Sequence, residues 1–342
     1  MESPKYIRLS LAAAMTLDLA KGRFYRDAKL YCINLLVTYE EGCAANCSYC
    51  GLSKVRPGQY DKKSFIRVKW PVHDIETVSD RIALKAKSGD VKRVCISMVT
   101  RRRAVEDTIT ISKMIRSKSD VPISFLIAPT VVKENDFSVF KEAGADKIGI
   151  AIDAVTNDLF IRHRGKGVNG PHKMERYWEC FDEALKYFGK GNVGSHFMVG
   201  LGETEKEEIE AIQKVRDLGG ETHLFAFFPE ENSKLENAER PSIPKYRRVQ
   251  LARDLIDNDI ITVNQMKFNN NGEITDFGVD INEFVQSGKP FMTSGCVGTD
   301  GAVACNRPYA NEKPTEEPRN FPFLPDEEDI SKIKEEIWQY TK

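Results

Sequence analysis

The chain has 342 residues, with 50 Lys+Arg set against 51 Asp+Glu for a formal charge of −1, and no apolar run near the roughly 18 residues of a membrane span. This balance excludes a protein that binds nucleic acid through a general basic field, and the absence of such a run excludes a helical membrane protein. Eight cysteines in a chain this long make no disulfide framework, and the opening MESPKYIRLS lacks the layout of a targeting peptide, so a soluble cytoplasmic protein with a sizeable core is expected.

Residues 9–21 are dense in alanine, leucine and methionine and are stopped by Gly22, the pattern of an amphipathic helix; residues 1–28 are expected to form a helical cap. Residues 29–38 read as a first strand, apolar on both faces as in a covered parallel sheet. It runs into a loop with three cysteines, after which residues 65–70 form an alternating segment stopped by Pro71. Helices near 74–86, 105–116, 135–143, 174–187, 205–218 and 245–257 then alternate with strands near 93–99, 122–128, 147–152, 193–199, 222–228 and 260–263. Such alternation implies parallel strands joined by crossover helices. Seven strands without a glycine-rich phosphate loop after the first favour an α/β fold of the (β/α) TIM type, a complete or nearly complete barrel over 29–278 with a last short strand at 274–277. Residues 279–342 form an extension, a glycine- and proline-rich stretch too long for a casual loop followed by a charged helix over about 326–339.

The chemistry centres on Cys43, Cys47 and Cys50, spaced C-x3-C-x2-C with Ala44, Ala45 and Ser48 keeping the turn small. One loop at the C-terminal end of a strand thus aims three thiolates at one object. Iron-sulfur cubes take four thiolates, so three leave an iron open for a small molecule; the alternative is a zinc knuckle with a fourth ligand from elsewhere. The loop resembles that of the radical S-adenosylmethionine (SAM) enzymes. The resemblance implies a 4Fe-4S cluster on these cysteines, SAM on its open iron, and the backbone of Tyr49 near the adenine; a packing role for the Tyr49 ring is compatible with this.

Val199-Gly-Leu-Gly-Glu-Thr204 ends a later strand, with Gly200 and Gly202 permitting a tight turn and Thr204 and Glu207 spelling a capping box. Alone it is an ordinary strand-to-helix turn. Behind the cysteine loop, HFMVGLGETEKE resembles the glycine motif of the lipoyl and biotin synthases, which implies that Gly200 and Leu201 lie beside SAM. The same resemblance places Ser97, in CISMVTR, at the amino end of SAM. Asp153, at a strand end, is either a ribose-binding carboxylate or a helix cap. Arg164, in IRHRGKG, can grip the SAM carboxylate in a bidentate fork, with Arg162 an equal candidate. Cys95 reads as a small core residue, and His163, His172, His196 and His223 receive no ligand role; no catalytic side chain is assigned beyond the cluster.

Cys296 and Cys305, with Cys32 from the first strand, are candidate ligands of an auxiliary 4Fe-4S cluster; the alternative is that Cys32 is core and the tail cysteines are incidental. The tail GCVGTDGAVACNRPY and the motif order resemble the archaeal-type lipoyl synthases, which work as two radical SAM proteins together, although a second cysteine triplet ahead of the loop and an RSSY-like motif are missing. The resemblance implies SAM cleavage to a 5'-deoxyadenosyl radical, hydrogen abstraction, and sulfur insertion into an octanoyl chain on a lipoyl carrier protein. An electron donor and a second radical SAM protein are the further partners it implies, and neither nucleic acid nor membrane is expected. Two other readings stay open. One is a radical SAM mutase or maturation enzyme, akin to methylornithine synthase or the hydrogenase maturases, in which Cys296 and Cys305 are dispensable; the other is a metal-stabilised binding protein.

Overall fold

The computed structural model describes residues 1–64, 68–305 and 312–340. In chain order the elements are β1 (Tyr6–Leu9), α1 (Leu11–Thr16), β2 (Cys32–Val37), β3 (Val72–Asp74), α2 (Ile75–Lys87), β4 (Arg93–Ser97), α3 (Arg103–Arg116), β5 (Ile123–Ile127), α4 (Asp136–Glu142) and β6 (Ala145–Asp153). They continue with α5 (Asn157–His163), α6 (Met174–Phe188), β7 (Val193–Val199), α7 (Glu205–Leu218), β8 (Glu221–Ala226), α8 (Ile243–Asp257), β9 (Lys267–Phe268), β10 (Ile274–Asp276), α9 (Asn282–Ser287) and α10 (Glu327–Ile337). One sheet runs β3-β1-β2-β4-β5-β6-β7-β8 and is parallel from β2 to β8.

The register sorts the side chains of the parallel strands into two faces, because successive residues point to opposite sides. Ile33 and Leu35, Val94 and Ile96, and Phe125 fall on one face and join the core cluster that contains Ile111, Phe137 and other helix residues. The other face carries Cys32, Asn34, Cys95, Ser124, Lys147 and His196 in paired rows. Side chains from β4, β5, β6, β7 and β8 line a single cavity on this face, so the sheet curls around it as a barrel wall. Among the described residues hydrogen bonds do not link β8 to the β3 edge, so the barrel is not closed by hydrogen bonds there.

Three sequence expectations need correction. Residues 9–21 are not one helix, and residues 1–28 do not stand apart as a helical cap: β1 inserts antiparallel between β2 and β3, where buried Arg8 donates from Nε to the Trp70 carbonyl at 2.8 Å, and the helical residues are Leu11–Thr16 and a 3-10 turn at Tyr25–Asp27. Residues 260–263 form no strand; Thr262 instead caps a 3-10 turn at Val263–Gln265, a competition that short polar side chains tend to win. Among the described residues the parallel strands therefore number six, and β10 pairs with β9 in a separate hairpin rather than with the barrel. Val68 and Trp70 of the alternating segment are buried, while residues 65–67 and the Asn306–Tyr309 end of the tail motif lie outside the described residues.

Candidate functional site

At the C-terminal ends of the strands the cysteine loop folds back on itself and onto the end of β4. The Cys43 amide donates to Leu52 (3.0 Å), the Lys54 amide to Cys43 (2.9 Å) and the Ala44 amide to Thr100 (3.1 Å), while the Arg56 guanidinium reaches the Cys47 carbonyl at 3.2 Å. These bonds hold all three thiols against one cavity of about 110 Å³, whose wall also includes Tyr49, Ser97, Asp153 and Arg164. Burial raises the thiols of Cys47 and Cys50 above the ordinary range, and at Cys47 the Arg164 charge opposes that shift. Among the described residues no three His, Cys, Asp or Glu side chains converge on a single-ion site. A cube binds each thiolate through a different iron, so the donor set fits an iron-sulfur cluster, whose ligands need only line one space, better than it fits zinc.

The wall opposite the thiols is built around the end of β6. A register shift between Ala151 and Asp153 puts Asp153 at φ 61°, a left-handed conformation that re-aims its carboxylate toward the cavity. The Tyr49 hydroxyl donates to that carboxylate, and Arg164 pairs with it at 3.3 Å. Thr156 caps α5, accepting from the Leu159 amide, so the capping alternative for Asp153 is excluded. Arg164 is buried and fixed by the Ala151 and Ile152 carbonyls and the Tyr177 hydroxyl, whereas Arg162 is exposed, which separates two residues that sequence left equal.

Gly200 and Leu201 lie outside the lining of this cavity. Gly200 has φ +109°, and an added Cβ would stand 2.7 Å from Pro241, so only glycine suits the turn. The carboxylate of Glu203 folds back to accept from the Gly200 (2.7 Å) and Leu201 (2.9 Å) amides and is paired with Lys245 at 2.8 Å. The link from this turn to the cysteine loop is His163. Its Nε2 donates to the Leu201 carbonyl (3.0 Å), which leaves Nδ1 to accept from the Ser48 hydroxyl (2.7 Å), while the Ser48 amide donates to the His163 carbonyl (2.8 Å). Burial holds the imidazole below its ordinary range, consistent with a neutral ring. Sequence reasoning missed both residues. Glu203 had a signal, an acid directly after a turn whose amides need an acceptor; His163 had none.

At the opposite end of the same barrel face, Cys32 from β2, Cys95 from β4, and Cys296 and Cys305 from the extension gather around Leu126 in a side-chain cluster separate from the main core. The tail cysteines sit across from each other on a hairpin: the Cys305 amide donates to the Cys296 carbonyl (3.0 Å) and Val297 bridges Val303. Arg93, chelated by Asp146 through two 2.6 Å bonds, donates to the Val297 carbonyl, Lys92 pairs with Asp300 at 2.6 Å, and Ser294 donates to the Thr222 carbonyl on β8. Leu126 lines both this pocket and the upper cavity.

Residues 38–215, just over half of the chain, match the Radical SAM superfamily model. No curated protein sequence matches the chain. Among solved structures it is similar to methylornithine synthase (PylB), at 14% identity over 70% of this chain and 67% of that one with a TM-score of 0.50. It is also similar to HydG, a maturase of the FeFe-hydrogenase, at 14% identity over 72% of this chain and 53% of that one with a TM-score of 0.52. The HydG of Carboxydothermus hydrogenoformans gives 16% identity, 72% and 55% coverage and a TM-score of 0.50. The chain thus spans about half the length of the maturases, and at these identities the likeness establishes the fold. None of these three is a lipoyl or biotin synthase. No helix among the described residues is long and apolar enough to cross a membrane.

Proposed function

The chain belongs to the radical SAM superfamily, and within it we propose a sulfur-inserting enzyme, a lipoyl synthase component that acts on an octanoyl chain held by a carrier protein. A 4Fe-4S cluster on Cys43, Cys47 and Cys50 with SAM at its open iron supplies, when bound, a carbon radical able to take hydrogen from an unactivated carbon. The residues of this chain orient and shield that chemistry. Asp153, fixed by Tyr49 and Arg164, offers a carboxylate to the ribose hydroxyls. Ser97 offers a hydroxyl on the β4 side, and Met98, Val99 and Ala128 keep the wall apolar, which limits water and side reactions.

The observation that carries the sulfur-insertion reading is the second thiol pocket. Cys32, Cys296 and Cys305 come from distant parts of the sequence yet meet on the same barrel face as the upper cavity, with Leu126 between the two. A sulfur donor has to reach the carbon that has just lost hydrogen, and a second cluster held here faces the upper cavity across one side chain. An electron donor and a second radical SAM protein are proposed partners. The apolar part of the upper wall, Met98, Val99 and Ala128, suits an aliphatic chain.

The reading is tested with anaerobically reconstituted protein, SAM, a reductant and an octanoylated lipoyl domain, with and without the second radical SAM protein, followed by mass spectrometry of the domain. A gain of one or two sulfur atoms, lost in a Cys296→Ala/Cys305→Ala variant, is expected. Formation of 5'-deoxyadenosine without sulfur transfer under every condition, or full turnover by that variant, overturns it in favour of a rearranging or maturation enzyme.

A further inference from the structure

We propose that Cys95 is the fourth thiolate of the second site, so that a cluster there is closed by cysteines of β2, β4 and the tail hairpin and keeps no open iron. The inference rests on the sulfur-insertion reading and deepens it. Cys95 stands on β4 opposite Asn34 and Ser124, in the polar row of the barrel face, while its neighbours Val94 and Ile96 carry the apolar face. Cys95 lines one cavity with Cys296 and Cys305 and shares a side-chain cluster with Cys32 and Cys305. Four thiolates are the ordinary complement of a 4Fe-4S cluster, and each binds its own iron, so they need not converge on one point.

The surroundings fit the charge as well as the ligand count. A thiolate-ligated cluster is anionic, and buried negative charge needs a partner. Arg93, 1% exposed and paired with Asp146, interacts electrostatically with Cys32 and Cys296, and Lys147, paired with Glu221 at 3.1 Å, lies on the Cys296 side of the pocket. Asn34 extends its amide toward the Cys32 sulfur at 3.9 Å. The hairpin is pinned at both of its ends, to β8 through Ser294 and to the start of β4 through Lys92 and Arg93, and an added Cβ at Gly295 would stand 2.3 Å from the Cys305 carbonyl. The two tail thiols are therefore held in place by backbone and ion pairs.

The test uses the full chain with Cys43, Cys47 and Cys50 all changed to alanine, reconstituted anaerobically and read by iron and sulfide content and Mössbauer spectroscopy. This background is expected to keep about four irons per chain, the content of one cube. Adding Cys95→Ala is expected to remove at least half of that iron. Adding Cys180→Ala, a buried cysteine on α6 outside the pocket, leaves it unchanged. Where Cys95→Ala does not fold by circular dichroism, Cys95→Ser decides, with altered Mössbauer parameters expected. Unchanged iron and spectrum in the Cys95 variants overturns the fourth ligand and leaves the sulfur-donor reading intact. A background protein that holds no iron removes the auxiliary cluster itself, and the inference with it.

Discussion

The two ends of the barrel face hold cysteines in opposite ways. At the C-terminal end, Cys43, Cys47 and Cys50 come from a single loop whose shape is fixed by its own backbone and by the end of β4. At the N-terminal end, Cys32, Cys95, Cys296 and Cys305 meet only because strand register and a docked hairpin bring them together. The first arrangement rests largely on bonds within one loop and its neighbours, while the second depends on tertiary contacts made far along the sequence. Separating the two experimentally requires variants that disturb one end and leave the other measurable.

The largest separation is expected from Arg93→Met. The substitution removes a buried guanidinium that holds Asp146 and the Val297 carbonyl at once. Breaking a buried ion pair costs about 3–5 kcal/mol, and Asp146, 45% exposed, brings the expected loss down to about 2–3 kcal/mol because it regains water. The hairpin loses its grip on β4, so iron in the lower pocket is lost while SAM binding at the upper end persists. Thermal unfolding and iron content of the triple-alanine protein carrying this change check it; retention of the lower iron sinks the view that the hairpin depends on this anchor.

Leu126→Ala attacks the partition itself. Truncating a leucine in such a wall costs about 2–3 kcal/mol and joins the two cavities. The expected outcome is uncoupling: more 5'-deoxyadenosine formed for each sulfur transferred, with both iron sites still filled. A ratio equal to that of the wild type shows that Leu126 does not position the substrate.

How far each end was legible follows from the same contrast. The upper cysteines, the capping box at Thr204 and the alternation of β4 through α8 were readable because each is a short-range pattern, decided by neighbours within a turn or a strand. Arg164 could not be separated from Arg162 in sequence, since the difference is which face of a short helix end turns inward. Cys95 looked like core because burial was predictable and the identity of its neighbours was not; that identity depends on the Asn34 register and on the tail. Strand β1, the four residues YIRL, was hidden because so short a run carries no decisive pattern of its own ahead of the alanine-rich α1, and it is pairing with β2 and β3 that makes it a strand.

His163→Ala sharpens the comparison from the upper end. It leaves the Ser48 hydroxyl and the Leu201 carbonyl without their imidazole partner, a loss of about 1–2 kcal/mol. Because His163 acts through the loop and the glycine turn, its removal is expected to weaken SAM binding severalfold with little change in lower-pocket iron. Calorimetric titration of SAM and iron analysis of the same sample check this. A fall in lower iron together with SAM affinity means that the two ends are not independent.

The smallest effect is expected at Glu208, behind the glycine turn. Both of its carboxylate oxygens are buried without a hydrogen-bond partner, and burial, followed by the neighbouring Glu203 charge, pushes its titration well above the ordinary carboxylate range, with Lys245 opposing. A carboxyl whose pKa is raised in the folded state binds its proton more tightly there than in the unfolded chain, so it costs nothing at acid pH, where both states are protonated. The cost grows as pH rises above the unfolded value. Glu208→Gln, which keeps the shape and removes the charge, is therefore expected to stabilise the protein by about 1 kcal/mol at neutral pH, with the gain fading toward pH 4. Melting curves across that range decide it: a gain that is flat with pH means packing rather than the charge sets the difference. A gain confined to neutral pH with iron unchanged in both sites means the upper end tolerates a buried acid that neither thiol set requires.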